Sequence, residues 1–437
     1  MVIVGGGFGG LETAFRLGKA PVQVLLLDRK NHHTFQPLLY QVATAGLSPA
    51  EIAGPLRSIL AGRHNEEVLL CEVTGFDLDR KQVFTENAVI PYDYLVVAAG
   101  ARHSYFGHDE WEPLAPGLKT IEDALEMRRR ILVAFEDAER QAALHGHHED
   151  LNFVIIGGGP TGVELAGTIS EVARQALASD FRNIDPKRTR VILVEGGPRV
   201  LATYSPELSQ SAEKQLRKLG VEVRTSTVVT AVKEHEVHMG DEVLPSRVTL
   251  WAAGVAASPL GRALGQPVDK AGRVPVLPDC TIAGHPEVFV IGDLAAYKDA
   301  NGKMLPGVAP VALQMGKYVA KSIQDDLAKR PRKPFHYNDR GSLATIGRAA
   351  AVAQFPKFKM TGYPAWLAWL FIHVLFLIGF RNRILVMFQW AWSYFTYERG
   401  ARLITDEVGK LREQRRSPDS KLNTEESDAE MLERRRA

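Results

Sequence analysis

The chain opens on a short apolar run, Val2-Ile3-Val4, that stops at a cluster of glycines, and the same arrangement returns at Phe153 to Ile156. A short continuous apolar run ended by turn residues predicts a buried strand. After each, a helical stretch leads to a second apolar run. One is Val22 to Leu27, ending on Asp28; the other is Val191 to Val194, ending on Glu195. Strand, glycine turn, helix, strand is therefore read twice. Between the two units, residues 31–60 read as irregular. Residues 68–98 read as hairpins followed by a buried strand from Tyr94 to Ala98, and 121–145 as a charged helix. Further strands run to Leu250-Trp251. Val288 to Ile291 is an apolar strand stopped by Gly292-Asp293, a helix is expected at about 308–329, and Arg330-Pro331-Arg332-Lys333-Pro334 reads as a linker.

The glycines are spaced for a purpose. Gly5-x-Gly7-x-x-Gly10 and Gly157-x-Gly159-x-x-Gly162 both fit the dinucleotide fingerprint. The first glycine allows a tight turn, the second lets backbone approach a pyrophosphate, and the third lets helix and strand pack closely. The helix N-terminus offers free N–H groups to phosphate. One such match is weak evidence; two, each with strand, helix and a terminal acid, are strong. Asp28 lies 23 residues after Gly5 and is placed for a ribose; Glu195 lies 38 residues after Gly157. An acid at the second site favours a free 2′-hydroxyl, hence NADH, although Arg199 nearby tempers that preference. Gly100, just past the strand at 94–98, and Gly292 with Asp293 are further cofactor-binding candidates at the carboxyl edge of the sheet. The expected class is α/β, with two Rossmann-like dinucleotide-binding domains plus a C-terminal membrane-associating helical region. The first dinucleotide-binding domain is expected to be discontinuous, 1–119 and 264–330, and the second to be 120–263; the membrane-associating region is 335–409; and 410–437 is a charged, disordered tail.

This combination resembles the two-dinucleotide-binding-domain flavoproteins over about residues 1–330. More specific segments resemble type II NADH dehydrogenases (NADH:quinone oxidoreductases). They are His33 to Gln41, Thr161 to Gly167, Ala309 to Gln314 and the aromatic C-terminal region. The resemblance implies FAD at the first fingerprint, NADH at the second, and a ribityl contact from Gly292-Asp293. It implies a non-proton-pumping respiratory enzyme that passes hydride from NADH to FAD and two electrons on to a membrane quinone. Glu164 would approach the nicotinamide and flavin, orienting the cofactor or relaying protons. Gln36, Pro37, Tyr40, Gln41, Ala312 and Gln314 would meet the quinone, with Gln314 the better candidate for its head group. The family's A-Q-x-A-x-Q pattern departs here, because Pro310 stands where the first glutamine is usual. The alternative reading is an FAD-dependent NAD(P)H reductase of another acceptor.

Composition narrows the field. The formal net charge of +2 over 437 residues gives no polyanion preference, so no nucleic-acid partner is expected. Cys71 and Cys280 form no CxxC or CxxxxC pair, which counts against disulfide reductases and sulfide:quinone oxidoreductases. No metal site is expected: His32 and His33 have no third ligand at metal spacing and read as solvent-facing or hydrogen-bonding, and His145, His147 and His148 lie in a charged loop. The N-terminus shows no export signal, so a cytoplasmic catalytic part is expected.

The C-terminal region adds the membrane. Thr361 to Phe380 carries no Lys, Arg, Asp or Glu, and four of the six tryptophans fall between 366 and 392. With Pro364 at a helix start, Ala365 to Phe380 would span about 24 Å, short of a hydrocarbon core of roughly 30 Å. Arg381-Asn382-Arg383 is read as a break, followed by a second apolar segment from Ile384 to Tyr397 with a polar stripe of Asn382, Gln389, Ser393 and Thr396. Arg381, Arg383, Arg399 and Arg402 are placed for anionic headgroups. The expectation is a helix pair dipping into one leaflet, peripheral on the cytoplasmic face of the cell membrane, with a homodimer left open.

Overall fold

The computed structural model describes residues 1–404, except Glu149, Ile378, Tyr397 and Glu398 and the side chains of Phe380 and Arg381. The tail at 410–437, and the end of the region set at 335–409, lie outside the described residues.

Two sheets carry the nucleotide-binding motifs. The first has six strands in the order Thr281–Ile282, His285–Val290, Leu95–Val97, Val2–Val4, Val24–Asp28, Glu66–Leu70, parallel except at the first pair. The second is wholly parallel, in the order Val221–Arg224, Arg190–Val194, Asn152–Ile156, Val248–Trp251. The inner strands Val2–Val4, Leu95–Val97 and Asn152–Ile156 are nearly continuous apolar runs because both faces are covered, whereas Val221–Arg224 at a sheet edge alternates. Register then fixes the sites. Val4 pairs with Leu27 and with Val97, and Val97 with Val290. Gly5, Asp28, Gly100 and Gly292-Asp293 are therefore delivered to one sheet edge. In the second sheet Ile156 pairs with Val194 and with Trp251, which brings Gly157 and Glu195 to the matching edge.

The helices at 121–145 and 309–327 form where the sequence predicts them. The first begins with a capping box, in which Thr120 accepts from the Asp123 backbone and Asp123 accepts from the Thr120 backbone. Pro310 lies in the first turn of the second, where a missing N–H is harmless, so helix geometry accommodates the proline that breaks the family pattern.

Three expectations need correction. Residues 31–60 are not irregular: they hold a two-stranded ribbon, His32–Thr34 with Ala53–Pro55, and short helical turns at Gln36–Leu38, Leu39–Ala43, Pro49–Ile52 and Leu56–Ile59. The C-terminal region is not only helical. A three-stranded antiparallel sheet, Ser342–Gly347, Ala350–Gln354 and Lys359–Thr361, precedes the helix pair. That sheet packs so closely on the helix Pro160–Glu171 that a Cβ on Gly167 would lie 1.6 Å from the Ile346 carbonyl. Finally, Arg381-Asn382-Arg383 does not break the apolar run. The first helix spans Gly362–Phe376 and the second Phe380–Thr396, so the three residues sit in the first turn of the second helix. The reversal falls at Gly379, whose φ of +83° suits glycine. At 15 and 17 residues the helices reach about 22 and 26 Å. Among the described residues no helix is long and apolar enough to cross a membrane.

Candidate functional site

Both fingerprint turns show why each glycine is needed. Gly5 and Gly157 have φ of +102° and +111°. A Cβ on Gly10 would lie 1.9 Å from the Gly5 carbonyl oxygen, and one on Gly162 would lie 1.8 Å from that of Gly157. The middle glycines differ: a Cβ on Gly7 or Gly159 would meet nothing within 4 Å. These two are the N-caps of the helices Phe8–Leu17 and Pro160–Glu171, and no side chain caps either end. Uncapped N–H groups facing open space fit a pyrophosphate at each turn.

The two terminal acids behave alike. Asp28 accepts from the Gly6 N–H at 2.5 Å and from the Lys30 N–H at 2.7 Å. Glu195 accepts from the Gly158 N–H at 2.5 Å and from the Gly197 N–H at 2.7 Å. Each carboxylate is thus held against its own glycine turn, where a ribose beside the phosphates would reach it. At the far strand, Gly292 has φ +69°, and Asp293 borders a small cleft with Pro306, Gly307 and Met315. Arg273 lines the same cleft, paired with Asp269. Sequence reasoning missed it, because nothing near Arg273 in the chain signals the Gly-Asp turn. Gly100 also has a positive φ, +65°.

The helix Ala309–Leu327 crosses the first fingerprint helix at close range: a Cβ on Gly316 would lie 2.3 Å from the Gly9 carbonyl. Ala312 accordingly sits beside Gly292, at the glycine-turn edge of the first sheet. Gln314 is occupied elsewhere. Its Nε2 donates to the Asn338 carbonyl at 3.0 Å and its Oε1 accepts from the Asn338 N–H at 2.9 Å. Both ends of the amide hold the segment that leads to the C-terminal sheet.

The 36–41 segment divides. Gln36 reaches only the Lys119 carbonyl, at 3.5 Å, and Pro37 starts the short turn Gln36–Leu38. Tyr40 and Gln41 face the other way, into a buried assembly of side chains. Tyr40 is 4% exposed and lies against Trp369, with ring centroids 6.5 Å apart. Burial pushes its phenol well above the usual range, and the carboxyl of Glu164 adds to this. Glu164 is itself buried. Burial raises it well above the usual carboxylate range, against the effect of a hydrogen bond at the Thr345 backbone, and so favours the protonated form. Trp369 also stacks on His373 at 4.4 Å, and His373 bonds back to the Trp369 carbonyl at 2.7 Å. Burial pushes His373 down to about 4, so it is neutral.

One helical turn pair beyond Glu164, Glu171 accepts from the Arg348 N–H and lies 3.6 Å from Arg399, which also donates to the Thr44 carbonyl at 3.1 Å. His33 is 2% exposed and bonds to the Gly6 carbonyl at 2.9 Å, the hydrogen-bonding of its two readings, and so buttresses the first glycine turn. No metal cluster occurs among the described residues.

A flavin-type double dinucleotide fold with a distinct aromatic C-terminal module defines the class. Residues 1–316 match the family described as pyridine nucleotide-disulphide oxidoreductase, and 340–397 match the NDH2 C-terminal domain. The type II NADH:quinone oxidoreductase NdhA of Mycobacterium tuberculosis is 46% identical over 428 residues, covering 93% of this chain and 90% of that protein. The type II NADH:quinone oxidoreductase of Staphylococcus haemolyticus is 30% identical, covering 79% of this chain and 87% of its own length. The NDH2 of Plasmodium falciparum, solved in complex with NADH, shares the fold with a TM-score of 0.84 at 21% identity, covering 93% of this chain and 99% of that one. The chain belongs to the type II NADH:quinone oxidoreductase family.

Proposed function

We propose that the first glycine turn holds FAD, that the second holds NADH, and that a membrane quinone is reduced beside Tyr40. The chain is an FAD-dependent, non-proton-pumping NADH:quinone oxidoreductase. Bound FAD supplies the two-electron chemistry; the chain supplies position and charge. Asp28, Gly100, Gly292 and Asp293 bind the first nucleotide, and Glu195 orients the ribose of the second. Glu164 lies buried beyond the second glycine turn, where burial favours its protonated form. The observation that carries this reading is the repeated uncapped helix end, with its open glycine and its acid, at both sheet edges. Purified protein should carry a flavin spectrum and oxidise NADH faster when menadione is added. If menadione adds nothing, the reading is wrong.

Glu195 should set the choice of nucleotide. Replacing it with alanine removes the acceptor of two N–H groups and the negative charge that would repel a 2′-phosphate. Glu195→Ala should raise KM for NADH at least about tenfold and narrow the gap to NADPH, a loss on the order of one charged hydrogen bond. Steady-state kinetics with both nucleotides checks it.

The helix pair gives the membrane side. Tyr363, Leu367, Phe371 and Leu375 repeat every four residues on one exposed face. Phe388, 71% exposed, Trp392 and Phe395, 79% exposed, fall four and then three residues apart on one face of the second helix. An apolar face of this kind suits the interface of one leaflet, on the cytoplasmic side. Both phenylalanines are open to solvent, so a charge at each should not disturb the fold. The double variant Phe388→Glu, Phe395→Glu should bind anionic vesicles at least about tenfold less well than the unaltered chain in flotation. Equal flotation would remove the helix pair from the membrane.

A further inference from the structure

The second helix of the pair does more than present an apolar face, because its polar side chains grip the 41–51 segment. Asn382 donates to the Ala50 carbonyl at 3.3 Å, Gln389 to the Glu51 carboxylate, and the Trp390 indole N–H to Gln41 Oε1 at 2.7 Å. Gln41 Nε2 in turn donates to the Tyr40 hydroxyl oxygen at 2.9 Å. This chain of bonds has a fixed direction. Indole N–H can only donate, so the group facing Trp390 must be the amide oxygen of Gln41. The amide nitrogen must then face Tyr40, and an N–H can only donate. Tyr40 is therefore an acceptor from Gln41, and its own O–H hydrogen is turned away from Gln41. No acceptor for that hydrogen is found among the described residues. A buried hydroxyl hydrogen without a partner is costly, which points to a ligand.

We propose that Trp390 is a positioning residue that fixes Tyr40 as a hydrogen-bond donor to a quinone carbonyl oxygen. The inference rests on the quinone reading above and names the residues that would carry it. It moves the head-group contact from Gln314, whose amide is engaged by Asn338, to Tyr40. Tyr40 keeps its proton throughout, as its raised pKa requires; it donates a hydrogen bond and transfers nothing. The direction of the chain matters because the alternative is close at hand. If Gln41 were free to turn, its oxygen could accept the Tyr40 hydrogen, and the quinone would face an acceptor lone pair instead of a donor.

Three variants of the flavin-loaded protein test this. Trp390→Phe keeps the ring and removes the N–H. Gln41→Glu keeps both bridges but reverses the last one, since a carboxylate accepts from Trp390 and from Tyr40 together. Tyr40→Phe removes the donor itself. Without NADH, equilibrium dialysis should show menadione bound about five- to tenfold more weakly by each, the size of one lost hydrogen bond. With NADH, KM for menadione should rise likewise in Trp390→Phe, while flavin reduction by NADH and reduction of ferricyanide, which has no carbonyl, stay unchanged. The double variant Trp390→Phe, Tyr40→Phe should be no worse than Tyr40→Phe alone, because Trp390 acts only through Tyr40. Gln41→Glu also covers the case in which Trp390→Phe fails to fold. Unaltered menadione binding in Trp390→Phe or Gln41→Glu overturns the inference, as does an additive double variant. A parent protein that neither binds nor reduces menadione sinks the quinone reading and the inference with it. A parent that does both, beside variants that match it, sinks the inference alone.

Discussion

Gly162→Ala should keep its flavin and lose at least about 100-fold in kcat/KM for NADH, a barrier increase on the order of 2.7 kcal/mol. The added methyl would lie 1.8 Å from the Gly157 carbonyl oxygen, and that atom is backbone, so no rotamer change relieves the overlap. The helix Pro160–Glu171 must move away from its strand, taking the uncapped N–H groups with it. The six-stranded sheet contains none of these residues, so its own glycine turn is untouched. The mirror experiment gives the mirror result. Gly10→Ala, with a contact of 1.9 Å to Gly5, should yield protein without flavin. Absorbance of the purified variants and NADH saturation curves check both. A flavin-free Gly162→Ala protein would mean that the two turns do not act separately.

Glu164→Gln should do two opposite things. The carboxyl is buried and its folded pKa lies well above the ordinary 4.5. Between those two values the unfolded chain releases a proton that the folded chain retains. Stability contributed by this group is therefore full below about 4.5 and is lost as pH rises towards the folded value. Glutamine has no such proton, so the variant should melt higher than the parent at pH 8, by a few degrees, and match it near pH 4. Activity should fall all the same, by at least about tenfold, because the amide cannot give up or take a proton. Thermal melts across pH, with turnover measured on the same samples, check the pair of effects. A variant less stable than the parent at pH 8 would show that the folded carboxyl does not lie above its ordinary range.

How much was legible can be judged from particular residues. The fingerprints were readable because backbone sterics fix glycine spacing locally, and the acids at strand ends follow from strand length. The helix at 121–145 was legible from its helical, charged pattern, while its capping box at Thr120 and Asp123 comes from the structure. The sheet at 342–361 was not legible, since Ala350, Ala351 and Ala353 blur the alternation that marks a strand. The reversal at Gly379 was misplaced because charged residues were taken as the break, whereas a left-handed glycine makes it. Gln314 shows a different limit: a motif names a residue but not what holds its side chain, and Asn338 is beyond its reach. Tyr40 and Gln41 were picked out with their segment, yet the direction of their bonds depends on Trp390, about 350 positions later.

Arg399 carries a consequence of another kind. It joins Glu171, on the second nucleotide unit, to Thr44, beside the first. During synthesis both of those residues leave the ribosome long before Arg399 does. The two halves can therefore complete their own sheets while that ion pair is still unmade, with the Glu171 carboxylate held by the Arg348 N–H and not yet by Arg399. A message cut short just before codon 399 would encode both nucleotide turns and still give a product that never closes its last bond.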